Sequence, residues 1–328
     1  MTTFLARRAA YMIITMILAS FIGFFLIELP PGSIVDIKID QLRAQGGNVP
    51  QDQIEALKRR YGVDDPLHIK YWKWISRTLQ GDFGTSFETD TPVAGIIAQR
   101  LPITFALTFG TALFAWLISI PLGVYLATNR GSIPDYIITF VQFLGIAIPN
   151  FALALILMVF AALVLRQDVG LGFFSPQYVN APWSFAKFLN LLSNLWIPVV
   201  VLGASATAGL TRVMRANLLD VLNAQYIQTA RSKGLQEHAV VWKHAVRNAV
   251  HPLVMSIGYL LPSIVVGDAL AGVILNLPTL GALYLRALQA TDMYLGITIL
   301  MMQCIMLLLG NLIADLLLAW VDPRVRLE

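Results

Sequence analysis

The residues best equipped for chemistry are few. His238, His244 and His251 form the one histidine cluster among the four histidines of the chain. His244 and His251 are seven residues apart, so they share one face of a helix, from which two imidazoles can hold a metal. A metal site needs further ligands, and neither an H-E-x-x-H run nor a cysteine-rich pattern supplies them. The histidines therefore read as solvated residues at a basic boundary. No G-x-S-x-G elbow occurs. No G-x-x-x-x-G-K-[ST] run occurs either, and not one Gly-Lys pair. The expectation is a chain with no catalytic residue, no metal and no cofactor of its own. The remaining candidates are acids within apolar runs, Asp268 and Asp315, with Asn150, Gln142, Gln303 and Asn311 as polar company. Intramembrane acids serve proton coupling, which would make the chain a self-sufficient secondary transporter. The sequence shows no inverted repeat to support that. Asp315, one turn from Asn311, reads as a helix-to-helix hydrogen bond. Asp268 either lines a path, together with Asn150 and Gln142, or reaches interfacial water.

The elements that must position these residues are membrane spans. Of 328 residues, 57% are hydrophobic and 13% charged, about half the charge of a soluble domain. Apolar runs of about 20 residues cross a hydrocarbon core of roughly 30 Å as helix. Six spans are expected, at 9–29, 101–128, 135–165, 194–214, 251–275 and 293–320. The third contains Pro149 and should kink there; the fifth contains Gly258 and Pro262. The first, after Arg7 and Arg8, is too long for a secretory apolar region and is expected to be retained. Cys304, the single cysteine, packs as a small apolar residue. The net charge of +4 reflects lysine and arginine on the cytoplasmic side and does not require nucleic acid. Short-loop charge, carried by residues such as Arg130, Arg212, Arg215, Arg324 and Arg326, puts both termini in the cytoplasm.

Three regions follow: an N-terminal span at 1–30, an external domain at 31–98, and a core at 99–328 with a cytoplasmic loop at about 216–250. In the external domain, Ile54, Leu57 and Tyr61 share a helical face ending at Gly62. A second helix has Asp65 as N-cap, Pro66 in its first position and Leu67, Tyr71, Trp74 and Thr78 along one face. Tyr71, Trp72 and Trp74 suit a membrane interface. The domain reads as a cap on the outer ends of the spans, or also as a contact for a soluble delivery protein.

The loop itself reads as helix from Ala216 to Lys233, with Leu218, Leu222 and Tyr226 at spacing four. Arg231 and Lys233 fall in its last turn, where cations suit the helix dipole. Gly234 can take the left-handed backbone that ends the helix, and Leu235 can close the cap. A second helix is expected from Glu237 into the fifth span. On shape alone this is either a docking protrusion or an amphipathic pair lying on anionic lipid.

The detailed residues point further. Gln228-Thr229-Ala230, three residues and Gly234 resemble the EAA loop of ABC importer permeases, with Gln228 at the acidic position. "HAVRNAVHPLV", "YGVDDPLHIKYWKWISRTLQGDFGTSF", "RLPITFALTFGTALFAWLISIPLGVYLA" and "NLIADLLLAWVDPRVR" are similar to the B-type permease of the dipeptide, oligopeptide and nickel branch. The resemblance implies an all-α polytopic bacterial inner-membrane protein with the type I importer fold. It implies a second, C-type permease, two ATPase subunits that hold ATP and Mg, an external substrate-binding protein and membrane lipid as partners. Gln228, Thr229, Ala230, Arg231, Lys233, Gly234 and Leu235 would then couple to an ATPase. In "GDALAGVILNLPTLG" the chain departs from the family pattern, with Gly272 at the Glu position, Leu275 at Phe and Thr279 at the first Gly of a pair. The implied solutes are accordingly peptides, oligosaccharides or opine-like compounds.

Overall fold

A computed structural model of the chain describes residues 2–28, 39, 50–51, 54–55, 65–166, 172–266 and 269–321. The long elements are α1 (Thr2–Glu28), α2 (Leu67–Leu79), α3 (Val93–Thr128), α4 (Ile133–Ala147), α5 (Asn150–Leu163) and α6 (Phe185–Leu222). After α6 come α7 (Gln225–Ser232) and α8 (Glu237–Ala239). A wide π-helical stretch at Val240–Ala245 leads into α9 (Val246–Ala249), α10 (His251–Met255) and a 3-10 turn at Ser256–Tyr259. Next are α11 (Leu260–Val266), α12 (Ala269–Ile274), α13 (Leu280–Gln289) and α14 (Met293–Val321).

Among the described residues, four helices are long and apolar enough to cross a membrane: Ala6–Glu28, Val93–Thr128, Phe185–Leu222 and Met293–Leu317. A fifth crossing is available if α4 and α5 count as one broken span. The expected single kinked helix over 135–165 is corrected here, because the two halves meet at 107°. Ile148 is extended and Pro149 precedes α5, so proline's missing N–H falls at a true helix end rather than inside a bend. The expected span at 251–275 is likewise a string of short helices among the described residues. A β-carbon on Gly310 would collide with the Gly258 carbonyl, so this string and α14 meet backbone to backbone. Small residues permit such approaches between membrane helices.

The chain divides into two units. The first comprises Met1–Gln99 with Tyr284–Ile305. Within it, α2 starts at Leu67 with Pro66 at the cap position, so Asp65 is not the cap; its carboxylate pairs instead with Lys73. Tyr71 and Trp74 face α1, whereas most of the expected helix around Leu57 to Gly62 lies outside the described residues. Asp292, 1% exposed, precedes α14 and accepts from the Leu295 N–H at 3.3 Å. Its other oxygen accepts from Ser86 Oγ at 2.5 Å and from the Phe87 N–H at 3.0 Å. One carboxylate thus caps a span and holds the segment that follows α2.

The second unit comprises Arg100–Leu283 with Met306–Glu328. One core joins Leu107, Ala154, Ala161, Ile197, Val201, Ala271, Leu275 and Leu277, drawn from α3, α5, α6 and the α12 region. The other gathers Val124, Met214, Leu218, Ile227, Val240, Val241, Ala245 and Leu253 beneath the loop after α6. Gly272 faces the first core's edge, where a β-carbon would meet Thr279 Oγ1 at 3.1 Å and the Ala282 side chain at 3.4 Å. Thr104 Oγ1 accepts from the Leu280 N–H at 3.0 Å nearby.

Candidate functional site

The loop is built from α6 upward. The expected continuous helix from Ala216 to Lys233 is corrected, because α6 ends at Leu222 and α7 begins at Gln225. Asn223 caps α6, its side-chain amide donating to the Leu219 carbonyl at 3.0 Å, and Ala224 is extended. Asparagine competes for backbone carbonyls in this way and so ends helices. The break turns α7 while Ile227 (0% exposed) and Ala230 (8%) insert into the core below.

At its far end, α7 closes with a Schellman cap. The Gly234 N–H donates to the Arg231 carbonyl at 2.9 Å and the Leu235 N–H to the Ala230 carbonyl at 3.4 Å. Gly234 has φ +75°, and no heavy atom lies within 4 Å of where its β-carbon would be. Only backbone strain therefore selects glycine there. Across the turn, Arg231 grips Glu237 with both edges of its fork, Nε to Oε2 at 3.1 Å and Nη2 to Oε1 at 2.6 Å. The hydrogen bonds hold the Glu237 carboxyl below the usual carboxylate range and raise the Arg231 guanidinium. Asn248 donates to the Tyr226 hydroxyl at 2.8 Å, tying α7 to the returning leg. The result is a rigid, rooted protrusion.

The structure sorts the predicted loop residues. Gln228, Thr229, Lys233, Gly234 and Leu235 are exposed, and the Thr229 hydroxyl donates to the Gln225 carbonyl. Ala230 is buried and serves the root, while Arg231 is engaged by Glu237. Sequence reasoning missed the ring pair His238 and Trp242, 6.4 Å apart and both exposed beside the turn. Their four-residue spacing was the available signal. Of the path candidates, Gln142 lies on α4 with its amide nitrogen buried and unbonded, and Asn150 opens α5 beyond the bend. Asp268 lies outside the described residues, and Asp315 is half-buried on α14.

A second missed feature ties α4 to α6. Arg215 Nη2 meets Asp135 Oδ2 at 2.7 Å, and that oxygen also accepts from the Gly131 N–H at 2.9 Å. Ser132 caps α4 by accepting from the Asp135 N–H. The Ser-Ile-Pro-Asp start of α4 was a readable cap signal, but the Arg215 partner, 80 residues on, was not.

Comparison with known proteins decides the family. Residues 119–327 match the model described as binding-protein-dependent transport system inner membrane component. Residues 1–108 match the model described as binding-protein-dependent transport system membrane component, N-terminal. The chain belongs to this family. The permease is 35% identical over 326 residues, 99% of each chain, to the oligopeptide transport system permease protein AppB of Bacillus subtilis. It is 29% identical over the full length of both chains to the dipeptide transport system permease protein DppB of Lactococcus lactis. To the glutathione transport system permease protein GsiC of Salmonella typhi it is 30% identical, over 99% of each chain. A chain of the inward-facing MetNI methionine ABC transporter superposes with TM-score 0.52 at 19% identity, covering 69% of this permease and 96% of that chain. That likeness supports the type I importer permease fold.

Proposed function

We propose that this permease forms half of the pathway of an ATP-driven peptide importer and couples to a cytoplasmic ATPase through the protrusion around Gly234. The observation that carries the coupling role is the clipped, left-handed turn at Gly234, rooted in the core by Ile227 and Ala230. A docked element that transmits force must be stiff and joined to what it moves, and this one is both. Peptides are the favoured solute because AppB and DppB are permeases of oligopeptide and dipeptide systems. Gly272 fits this packing: a side chain there would press on Thr279 Oγ1 at 3.1 Å and on the Ala282 side chain at 3.4 Å, so the glutamate of the family pattern would need these neighbours to shift.

A second permease of C type, two ATPase subunits and an external binding protein complete the proposed assembly, with both termini cytoplasmic. ATP and Mg belong to the ATPase chains. Residues 1–30, 31–98 and 99–328 serve as anchoring span, external domain and core. Gln142, Asn150 and Asp268 are assigned to the path. The test is reconstitution. The purified chain alone should not hydrolyse ATP, and ATP-dependent peptide uptake should appear only with the ATPase chains and rise with loaded binding protein. Uptake by this chain alone, driven by a proton gradient, would instead establish the secondary-transporter reading through Asp268 and Asp315.

A further inference from the structure

We infer that α2 is an interfacial membrane helix, lying in the leaflet at the Glu28 end of α1 with Trp72, Ile75 and Leu79 against lipid. The inference requires only that α1 crosses the bilayer, not that the coupling assignment is right.

The apolar window of α1 runs over 23 residues from Ala6 to Glu28. At 1.5 Å per residue that is about 34 Å, enough to fill a hydrocarbon core of roughly 30 Å. Glu28 therefore stands near one edge of the core. The Tyr71 hydroxyl of α2 lies 2.8 Å from Ser20 Oγ, eight residues below Glu28. That is about 12 Å down the helix, inside the apolar layer. The Tyr71 ring stacks on Phe21 at 4.4 Å and meets Phe24 at 5.4 Å, and Trp74 reaches Phe24 at 6.0 Å. Lys70, in contrast, pairs with Glu28 at 3.0 Å, at the rim. A helix with its ring side chains at membrane depth and its ammonium at the rim lies along the interface.

At about 100° per residue, Tyr71, Trp74 and Thr78 occupy the side toward α1. Ile75, Leu79 and Trp72 continue the apolar arc to one flank, while Ser76, Lys73 and Arg77 occupy the other. The arc is wider than α1 covers: Trp72 is 70% exposed and Leu79 81%. Two such side chains, on the same short helix as Tyr71, belong in the layer that Tyr71 already enters. Tryptophan settles at that level because its ring is apolar and its N–H needs a polar partner. Lysine and arginine on the far flank extend to headgroups and water.

The test places a spin label at Trp72→Cys, Leu79→Cys or Lys73→Cys, each in a Cys304→Ser background. Ile22→Cys on α1 is the lipid control and Lys233→Cys the water control. The full chain, washed free of copurifying ATPase so that position 233 is open to water, is placed in nanodiscs of zwitterionic and anionic lipid. Collision rates with oxygen and with a water-soluble nickel chelate are then compared. Positions 72 and 79 should favour oxygen several-fold over position 233, near the ratio at 22, while position 73 should favour nickel. Nickel access at 72 and 79 equal to that at 233 would overturn the assignment and leave α2 in water. Protection from both reagents would also overturn it, showing a protein partner on that flank. Leu79, at the helix end, remains informative if the Trp72 variant does not accumulate.

Discussion

Arg231 and Glu237 show how the local chemistry of the loop works. The pair is exposed, and such pairs contribute only about 0.2–1 kcal/mol to stability. Its use is geometric, since a bidentate fork fixes the angle between α7 and the leg that follows. Arg231→Glu should repel Glu237, loosen the turn and reduce ATP-driven uptake severalfold while membrane abundance stays normal. Combining it with Glu237→Arg should restore much of the uptake, a rescue that loss of a rim contact to the ATPase would not give. The pH behaviour follows in sign. A depressed Glu237 carboxyl contributes above its unfolded value and loses that contribution as pH falls through the folded one, and the raised Arg231 stays charged throughout. A distance probe across the turn should therefore be flat near neutrality and lengthen only in acid below the ordinary carboxylate range. Gly234 was legible in the sequence because a helix cap is local. The Glu237 partner was missed because its spacing from Arg231 crosses the turn whose shape had to be known first.

Among elements, the half-buried Arg215 and the buried Asp135 pair to join α4 to α6. Removing one partner leaves a buried charge uncompensated, at a cost of about 3–5 kcal/mol. Arg215→Met should thus lower the thermal midpoint in detergent clearly, and adding Asp135→Asn should recover part of it. Equal midpoints for wild type and Arg215→Met would show that the pair does not hold the two helices. The unbroken spans α1, α3, α6 and α14 were readable because length and apolarity alone define them. The 107° corner at Pro149 was visible only as a kink, since proline removes one hydrogen bond but neighbours set the angle. Within the segmented 251–275 region, Gly258 meets Gly310, a contact between distant positions that no local pattern announces. The grip of Asp292 on Ser86 is hidden for the same reason.

For the whole molecule, the proposed function has the clipped turn at Gly234 carry ATP-driven motion into the helices that form the path. The spans do not depend on that turn, so it can be damaged while the protein still inserts. Valine at Gly234 has room for its side chain, yet it must hold φ +75°, a left-handed position costing a β-branched residue on the order of 1 kcal/mol or more. The Schellman cap should open, and the exposed face carrying Lys233, Leu235 and Trp242 should move relative to its root. Packed interfaces tolerate little misfit, so docking should be lost before folding is. The most direct measurement is copurification of the ATPase with wild type and with Gly234→Val at matched membrane abundance, alongside peptide uptake by each. The variant should retain little ATPase and transport nothing. Equal ATPase retention and equal uptake by the two proteins would contradict this role, and the turn at Gly234 would not be the coupling element.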